Sequence, residues 1–298
     1  MTNRLCGVAF LLSALVLVLC ERYLQGSVDI VIENPSGEIS SVQMSRKDAR
    51  QLEYFFRELI ISELMAYTLA GSKPMSFACY REPGVSLSSF FLPNLKTIRG
   101  WRVWEKHCHY FDNGRLRFWR EKSPWVKGVF CLIIADMNQC DEIIMQHAAD
   151  FQNVVGQRII HDKSLFQEID KTPFLQNTLQ KHDALLGILL GFGRENAWLY
   201  YEKNKNPQFA KLPLAWGPVM EQKRTDWFWK YCALQTPDVS DMLFPVFVGD
   251  LDSVESQRLR AEYSAASEKI KKFYKKRDFL SATLSLYKHG RSLLSRDA

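Results

Sequence analysis

The chain has 298 residues, 47% of them hydrophobic and 13% aromatic, with a net charge of +6. That composition excludes a disordered or low-complexity chain and suits a packed domain with a sizeable core. The charge is uneven: residues 258 to 298 hold 11 Lys and Arg against 4 Asp and Glu, a net of +7, which leaves −1 for everything before them.

The N-terminus is the first feature with a physical reading. Arg4 is followed by sixteen uncharged residues, Leu5 to Cys20, and then by Glu21 and Arg22. A basic start followed by an apolar run is the pattern of a secretory signal or a signal anchor. Three fates fit: an uncleaved transmembrane anchor, lipidation at Cys20, or cleavage as a signal peptide. The uncleaved anchor is preferred, because no small-residue cleavage pattern lies between Cys20 and Ser27. A buried core helix is disfavoured, because a wholly apolar terminal helix has no face to show water. The charge ahead of the run places the start in the cytoplasm and the main domain in an extracytoplasmic position. Residues 1–22 are therefore read as the anchor or signal, 23–44 as a linker with a possible short strand, and 45–298 as a single globular domain.

Residues 28–33 (VDIVIE) alternate as a strand, and Pro35 with Gly37 makes a turn. Ser45 with Asp48 has the spacing of a capping box. A helix is predicted from Arg46 to about Ala70, with Leu52, Phe55, Phe56, Leu59, Ile60 and Tyr67 on one face, broken only by Glu63, and Gly71 ending it. MSFACY (75–80) reads as a strand and VSLSSFFL (85–92) as a second candidate. Residues 94–111 are ambiguous between helix and extended chain. Asp112-Asn113-Gly114 is a turn signal, after which RLRFW (115–119) alternates. GVFCLIIAD (128–136) is almost continuously apolar, as expected for a central strand buried on both faces. A helix opening at Asn138 and Asp141 should carry Ile143, Ile144, His147, Phe151 and Val155 to a stop at Gly156. Asp162 should open a short one. Thr172-Pro173 should start another, with Leu175, Leu179, His182, Leu186 and Leu189 at 3–4 spacing. Residues 204–238, rich in proline and tryptophan, are predicted to be irregular. Ser253 to Tyr287 should form one long helix or two. The fold class is α+β and mostly helical: a small antiparallel sheet packed by several helices, behind the N-terminal helix.

Three stretches could carry chemistry. The first is HDALLGILLGFGRENA (182–197). It lacks the third glycine of a dinucleotide loop and the Gly-Lys-Ser/Thr of a Walker loop. A helix junction explains it better: Gly187 and Gly191 allow close approach of another helix, Gly193 ends the first helix, and Arg194 begins the second. An anion at that helix start is the competing reading. The second is His107-Cys108-His109, which offers at most two imidazoles on one side, too few for zinc. His147 and His182 sit on otherwise apolar helix faces and read as core histidines. The third is the basic run Lys269, Lys271, Lys272, Lys275, Lys276 and Arg277, six cations within nine positions. It reads as a solvated helix face or as a contact for anionic lipid or another acidic partner. Nucleic acid is disfavoured as a partner, since the helix is placed outside the cytoplasm. Cys79, Cys108, Cys131, Cys140 and Cys232 lack the spacing of a disulfide scaffold and are read as buried free thiols.

TLAGSKPMSF (68–77), GWRVWEK (100–106), LLGILLGFGRENAWLYY (185–201) and FLSATLSLY (279–287) resemble the recurring blocks of a family of bacterial proteins of unknown activity. The resemblance implies a shared fold and a bacterial source, and it supplies no catalytic residue. The function expected is non-enzymatic: a membrane-anchored envelope or surface protein that binds a protein partner or the membrane, with no cofactor or metal. The alternative is a hydrolase or other enzyme without a linear motif. A polar pocket gathering His147, His182 and carboxylates would favour that alternative.

Overall fold

The computed structural model describes residues 26–82, 92–156, 166, 172–206, 238–247 and 249–295. The apolar run with Cys20, the candidate strand at 85–92 except its last residue, the short helix expected at Asp162, most of the aromatic segment, and Cys232 lie outside them. The class read from the sequence holds: mostly helical, with small antiparallel sheets.

The chain begins with a hairpin, β1 (Ser27–Glu33) and β2 (Ile39–Ser45), paired in register from Ser27 opposite Ser45 to Glu33 opposite Ile39. The second strand was not legible, because ISSVQMS carries only three apolar residues. Ile30, Ile32 and Met44 turn inward and join the same core as the helices. The hairpin is therefore packed body, not a free linker.

Helix α1 (Arg46–Ile61) starts at Ser45, whose Oγ accepts from the Asp48 N–H at 3.0 Å. Half of the expected capping box is present. The Asp48 carboxylate turns instead to Lys106 and His107. The helix predicted to run on to Ala70 breaks at Ser62, and Leu64 takes a left-handed φ of 64° before the short α2 (Met65–Leu69). Glu63, the one charge in the apolar stripe, falls in that break. The turn sends Tyr67 against the Tyr263 ring, 5.6 Å between centroids.

The ambiguous stretch is helical: α3 (Leu92–His107), then a 3-10 turn at Cys108–Tyr110. Three strands make the central sheet: β3 (Met75–Arg81), β4 (Leu116–Lys122) and β5 (Val129–Asp136), in the order β3-β5-β4, all antiparallel. The apolar run is indeed the middle strand. Its alternate residues feed two cores. Phe130, Leu132 and Ile134 face the core of the hairpin, α1, α3 and the C-terminal helices. Cys131, Ile133 and Ala135 face a second core with Cys140, Phe151, Phe174, Leu185 and Leu189.

Cys79 lies opposite Cys131 in this ladder, with Cα atoms 4.2 Å apart, and the two sulfurs are bonded. This corrects the expectation of free thiols: cysteines far apart in sequence are brought face to face by strand register. Cys108 and Cys140 are unpaired.

Two further helices break where periodicity predicts continuity. Asp136, not Asn138, caps α4 (Met137–Gln146), and His147 forms a joint before α5 (Ala148–Val155). The helix expected from Pro173 is a π-helical turn at Phe174–Thr178. Gln180 and Lys181, both at positive φ, then separate it from α6 (Asp183–Leu189). The cause is a carboxylate from β4: Glu121 accepts from the Phe174 and Leu175 N–H groups, each at 2.8 Å, and holds that turn against the sheet. Helix α7 (Arg194–Lys205) follows. The C-terminal stretch is two helices, α8 (Val254–Tyr274) and α9 (Phe279–His289), plus the short α10 (Arg291–Leu294).

Two buried ionisable groups leave a pH signature. Burial, reinforced by the Glu63 charge, pushes the Glu58 carboxyl up to about 8 from 4.5. Burial pulls the Lys73 amine down to about 7 from 10.5, with its Nζ 5.2 Å from the Phe192 ring centre. Between 4.5 and about 8 the folded chain holds the Glu58 proton more tightly than the unfolded chain, so stability falls as pH rises. Between about 7 and 10.5 the folded chain releases the Lys73 proton first, so stability rises with pH. Glu58→Gln should remove the decline, and Lys73→Met should remove the rise while stabilising the protein below it, each by on the order of 3 kcal/mol. Urea unfolding midpoints from acid to alkaline pH measure both slopes; a Glu58→Gln curve parallel to the wild type would refute the assignment.

Candidate functional site

The six predicted cations gather at the C-terminal end of α8. Lys269, Lys271, Lys272, Lys275 and Arg277 line one concave surface together with Arg57 of α1, and Lys276 is exposed beside it. The placement follows from the α8 sequence. Leu259, Tyr263, Ile270, Phe273 and Tyr274 are buried, so the intervening lysines point outward, and cations in the last turn suit the negative end of the helix dipole. Aromatic faces hold several in place: Lys271 lies over Phe244 at 5.6 Å, Arg277 over Phe273 at 4.3 Å and Arg57 over Phe279 at 4.2 Å. Of the three acids among the described residues that line this surface, Glu268 is exposed and the other two are engaged by the backbone. Asp238 accepts from the Ser240 N–H at 2.8 Å and Asp278 from the Ser281 N–H at 2.9 Å. Arg277 reaches Glu33 of β1 at 3.4 Å. Lys269, Lys272, Lys275 and Lys276 are exposed.

The glycine-rich stretch is a helix junction whose anion is supplied by the protein itself. Helix α6 ends at Gly191, at φ 73°, with the Phe192 N–H bonded back to the Gly187 carbonyl at 3.1 Å. Gly193, at φ 84°, is not the end of α6 as expected but the N-cap of α7. There Glu255 of α8 accepts from the Arg194 N–H at 2.8 Å and the Asn196 N–H at 3.0 Å. A carboxylate thus sits where a phosphate would. A Cβ on Gly193 would collide with that carboxylate, and one on Gly191 would come within 2.6 Å of the Tyr263 hydroxyl, which donates to the Gly191 carbonyl. Gly187 serves the close approach predicted for it, facing Ala197 of α7, where an added Cβ would lie 2.9 Å from the alanine methyl. Gly191 does not share that role. Asn196 completes the lock, with Nδ2 donating to the Phe192 carbonyl at 3.1 Å and Oδ1 accepting from Ser256 at 3.0 Å.

The histidines do not converge. His147 lies in a cleft beside this junction, with Arg194, Glu255 and Tyr263. Two carboxylates beside it are committed: Asp150 binds Arg194 through two hydrogen bonds of 2.6 and 2.9 Å, and Glu255 holds the helix start, while Glu142 and Glu262 also line the cleft. Partial burial lowers the affinity of His147 for a proton. His182 caps α6 elsewhere, stacked on Tyr201 at 4.3 Å, and burial together with the charge of Lys205 also disfavours its protonated form. His107 contacts Asp48 at 3.1 Å, while the His109 ring lies tilted against Tyr110, 4.0 Å between centroids. Among the described residues, no group of three or more His, Cys, Asp or Glu could hold a metal ion. Sequence reasoning missed Glu255: it lies some sixty positions from the helix it caps, and no local signal marks it.

No family model matches the chain, and no curated protein or solved structure matches it.

The junction reading makes a sharp test. Glu255→Ala should cost about 1–2 kcal/mol by stripping the α7 N-terminus of its acceptor. Phosphate at low concentration should then raise the melting temperature of that variant more than that of the wild type. Equal stabilisation of the wild type by phosphate would mean that the junction takes an external anion. Gly187→Leu should cost about 1–3 kcal/mol through overpacking against Ala197.

Proposed function

We propose that the protein is a non-enzymatic envelope or surface protein, held at a membrane by residues 1–22, whose basic α8 end engages an anionic membrane surface. The observation that carries this reading is the concentration of exposed cations, Lys269, Lys272, Lys275 and Lys276, at one end of one helix, where Asp238 and Asp278 cap helices and Glu268 is the one other acid among the described residues lining the surface. Each cation near an anionic surface is worth about 1 kcal/mol before screening. The attraction decays over about 10 Å at moderate salt. Attraction of that size orients a tethered domain rather than capturing a free one.

Two features support the setting. The uncharged run from Leu5 to Cys20 has the character of an anchor. The Cys79–Cys131 bond suits an oxidising, extracytoplasmic compartment. No helix among the described residues is long and apolar enough to cross a membrane, so the anchoring role falls to residues outside them. Lipidation of Cys20 would serve the same end. The enzyme alternative rests on the cleft beside His147. It is weakened there by the commitment of Asp150 to Arg194 and of Glu255 to a helix N-terminus. A bacterial source and kinship with the resembling family stand as part of the same proposal.

Fractionation of cells expressing the full chain or a chain starting at Gln25 tests the anchor: the full chain should pellet with membranes, and the shorter one should be released. The shorter chain should co-sediment weakly with phosphatidylglycerol vesicles at low salt. That binding should vanish at high salt and on replacing Lys269, Lys271, Lys272, Lys275 and Lys276 by glutamine. Binding unchanged by the glutamines would remove the basic end from the mechanism.

A further inference from the structure

The basic end of α8 does not stand alone. Arg277 Nε meets Glu33 Oε2 at 3.4 Å, and Glu33 lies opposite Ile39 in the hairpin ladder. Directly opposed residues of an antiparallel pair share a face. Asp29, Val31 and Glu33 therefore lie on the same side as Gln43, Ser41 and Ile39, while Ile30, Ile32 and Met44 turn to the core. On that outward side Ile39 is 70% exposed and Val31 41% exposed. An open apolar pair thus flanks the residue that the basic helix end grips.

We infer that the outward face of the β1–β2 hairpin and the α8 end form one continuous membrane-contacting surface. Ile39 and Val31 enter the boundary between headgroups and acyl chains, and Lys272, Lys275 and Lys276 lie over anionic headgroups. The inference rests on the membrane reading above and adds the element that would enter the bilayer. Two observations select a bilayer as the occupant. The first is tether length. Six residues, 21–26, separate the apolar run from β1. They reach at most about 20 Å, and Ile39 lies at the far end of the ladder from Ser27, about 20 Å further on, so an anchored chain keeps the hairpin within reach of the surface. The second is charge complementarity. An apolar pair joined to a basic cluster through the Arg277–Glu33 contact has the composition of an interfacial contact, in which small apolar area and electrostatic attraction act together. Of the two acids on that face, Glu33 is partnered by Arg277 and Asp29 is exposed.

Photocrosslinking in the full chain, reconstituted into phosphatidylglycerol vesicles, tests the surface directly. Benzoylphenylalanine replaces Ile39, Lys272 or Val254, one at a time. Val254 is the control: it is 83% exposed and begins the 21-residue α8, whose other end carries the lysines, about 30 Å away. Lipid adducts from the Ile39 and Lys272 probes should exceed those from the Val254 probe roughly tenfold, the contrast between an interfacial and a water-facing site. Adducts from the Lys272 probe without adducts from the Ile39 probe would overturn the hairpin inference and leave the membrane reading standing. Lipid adducts from neither would overturn both. In intact cells, protein adducts replacing lipid adducts at the Ile39 probe would assign the face to a protein partner and overturn the inference.

Discussion

The double-sided burial of β5 organises the molecule. A strand apolar on both faces is stable only when both are covered, and the chain supplies the cover from opposite directions. The hairpin, α1, α3 and the C-terminal helices close one side, and α4, α5, the π-helical turn and α6 close the other. The flanking strands follow the same alternation. Ala78 and Tyr80 of β3 join the first core, and Met75 and Trp119 the second. Because β5 is flanked on both edges by antiparallel partners, its backbone groups are paired where its side chains are dry. The Cys79–Cys131 bond ties the same ladder across the face of the second core.

The two halves are joined by polar contacts at helix ends rather than by more apolar area. Glu255 and Ser256 at the start of α8 bind Arg194 and Asn196 at the start of α7, while Tyr263 one face further along α8 binds the carbonyl that closes α6. One helix of the first core thereby sets where the α6–α7 pair of the second core turns. That is why the turn needs glycine at two nearby positions: the neighbouring side chains occupy the space a Cβ would take. A glycine-rich loop before a helix is the usual cradle for a phosphate, and here an internal carboxylate fills the same electrostatic role.

The surface divides the work differently. Around β5 the charged groups are neutralised in pairs, such as Arg115 with Asp136 and Arg194 with Asp150. At the far end of α8 the lysines outnumber the acids: Asp238 and Asp278 accept backbone N–H groups, and Glu268 is exposed among the lysines.

The sequence by itself determined the class, the central strand, the turn at Gly37, the cap at Ser45, the cluster of cations and the fact that the glycine-rich stretch joins two helices. These are local: each depends on residue type and spacing within a dozen positions. Tertiary structure alone decided the second hairpin strand, the breaks at Ser62 and His147, the π-helical turn, the disulfide and the anion at the α7 N-terminus. The last three of these are settled by partners distant in the chain. Glu121 holds the turn at Phe174, strand register sets Cys79 against Cys131, and Glu255 reaches back to Arg194. The apolar period of a helix persists across a break when both pieces bury the same side, so periodicity reports burial and cannot see where the backbone turns. The cations were legible as a list. The contact of Arg277 with Glu33 of the hairpin was not, because 244 positions of sequence separate the two residues.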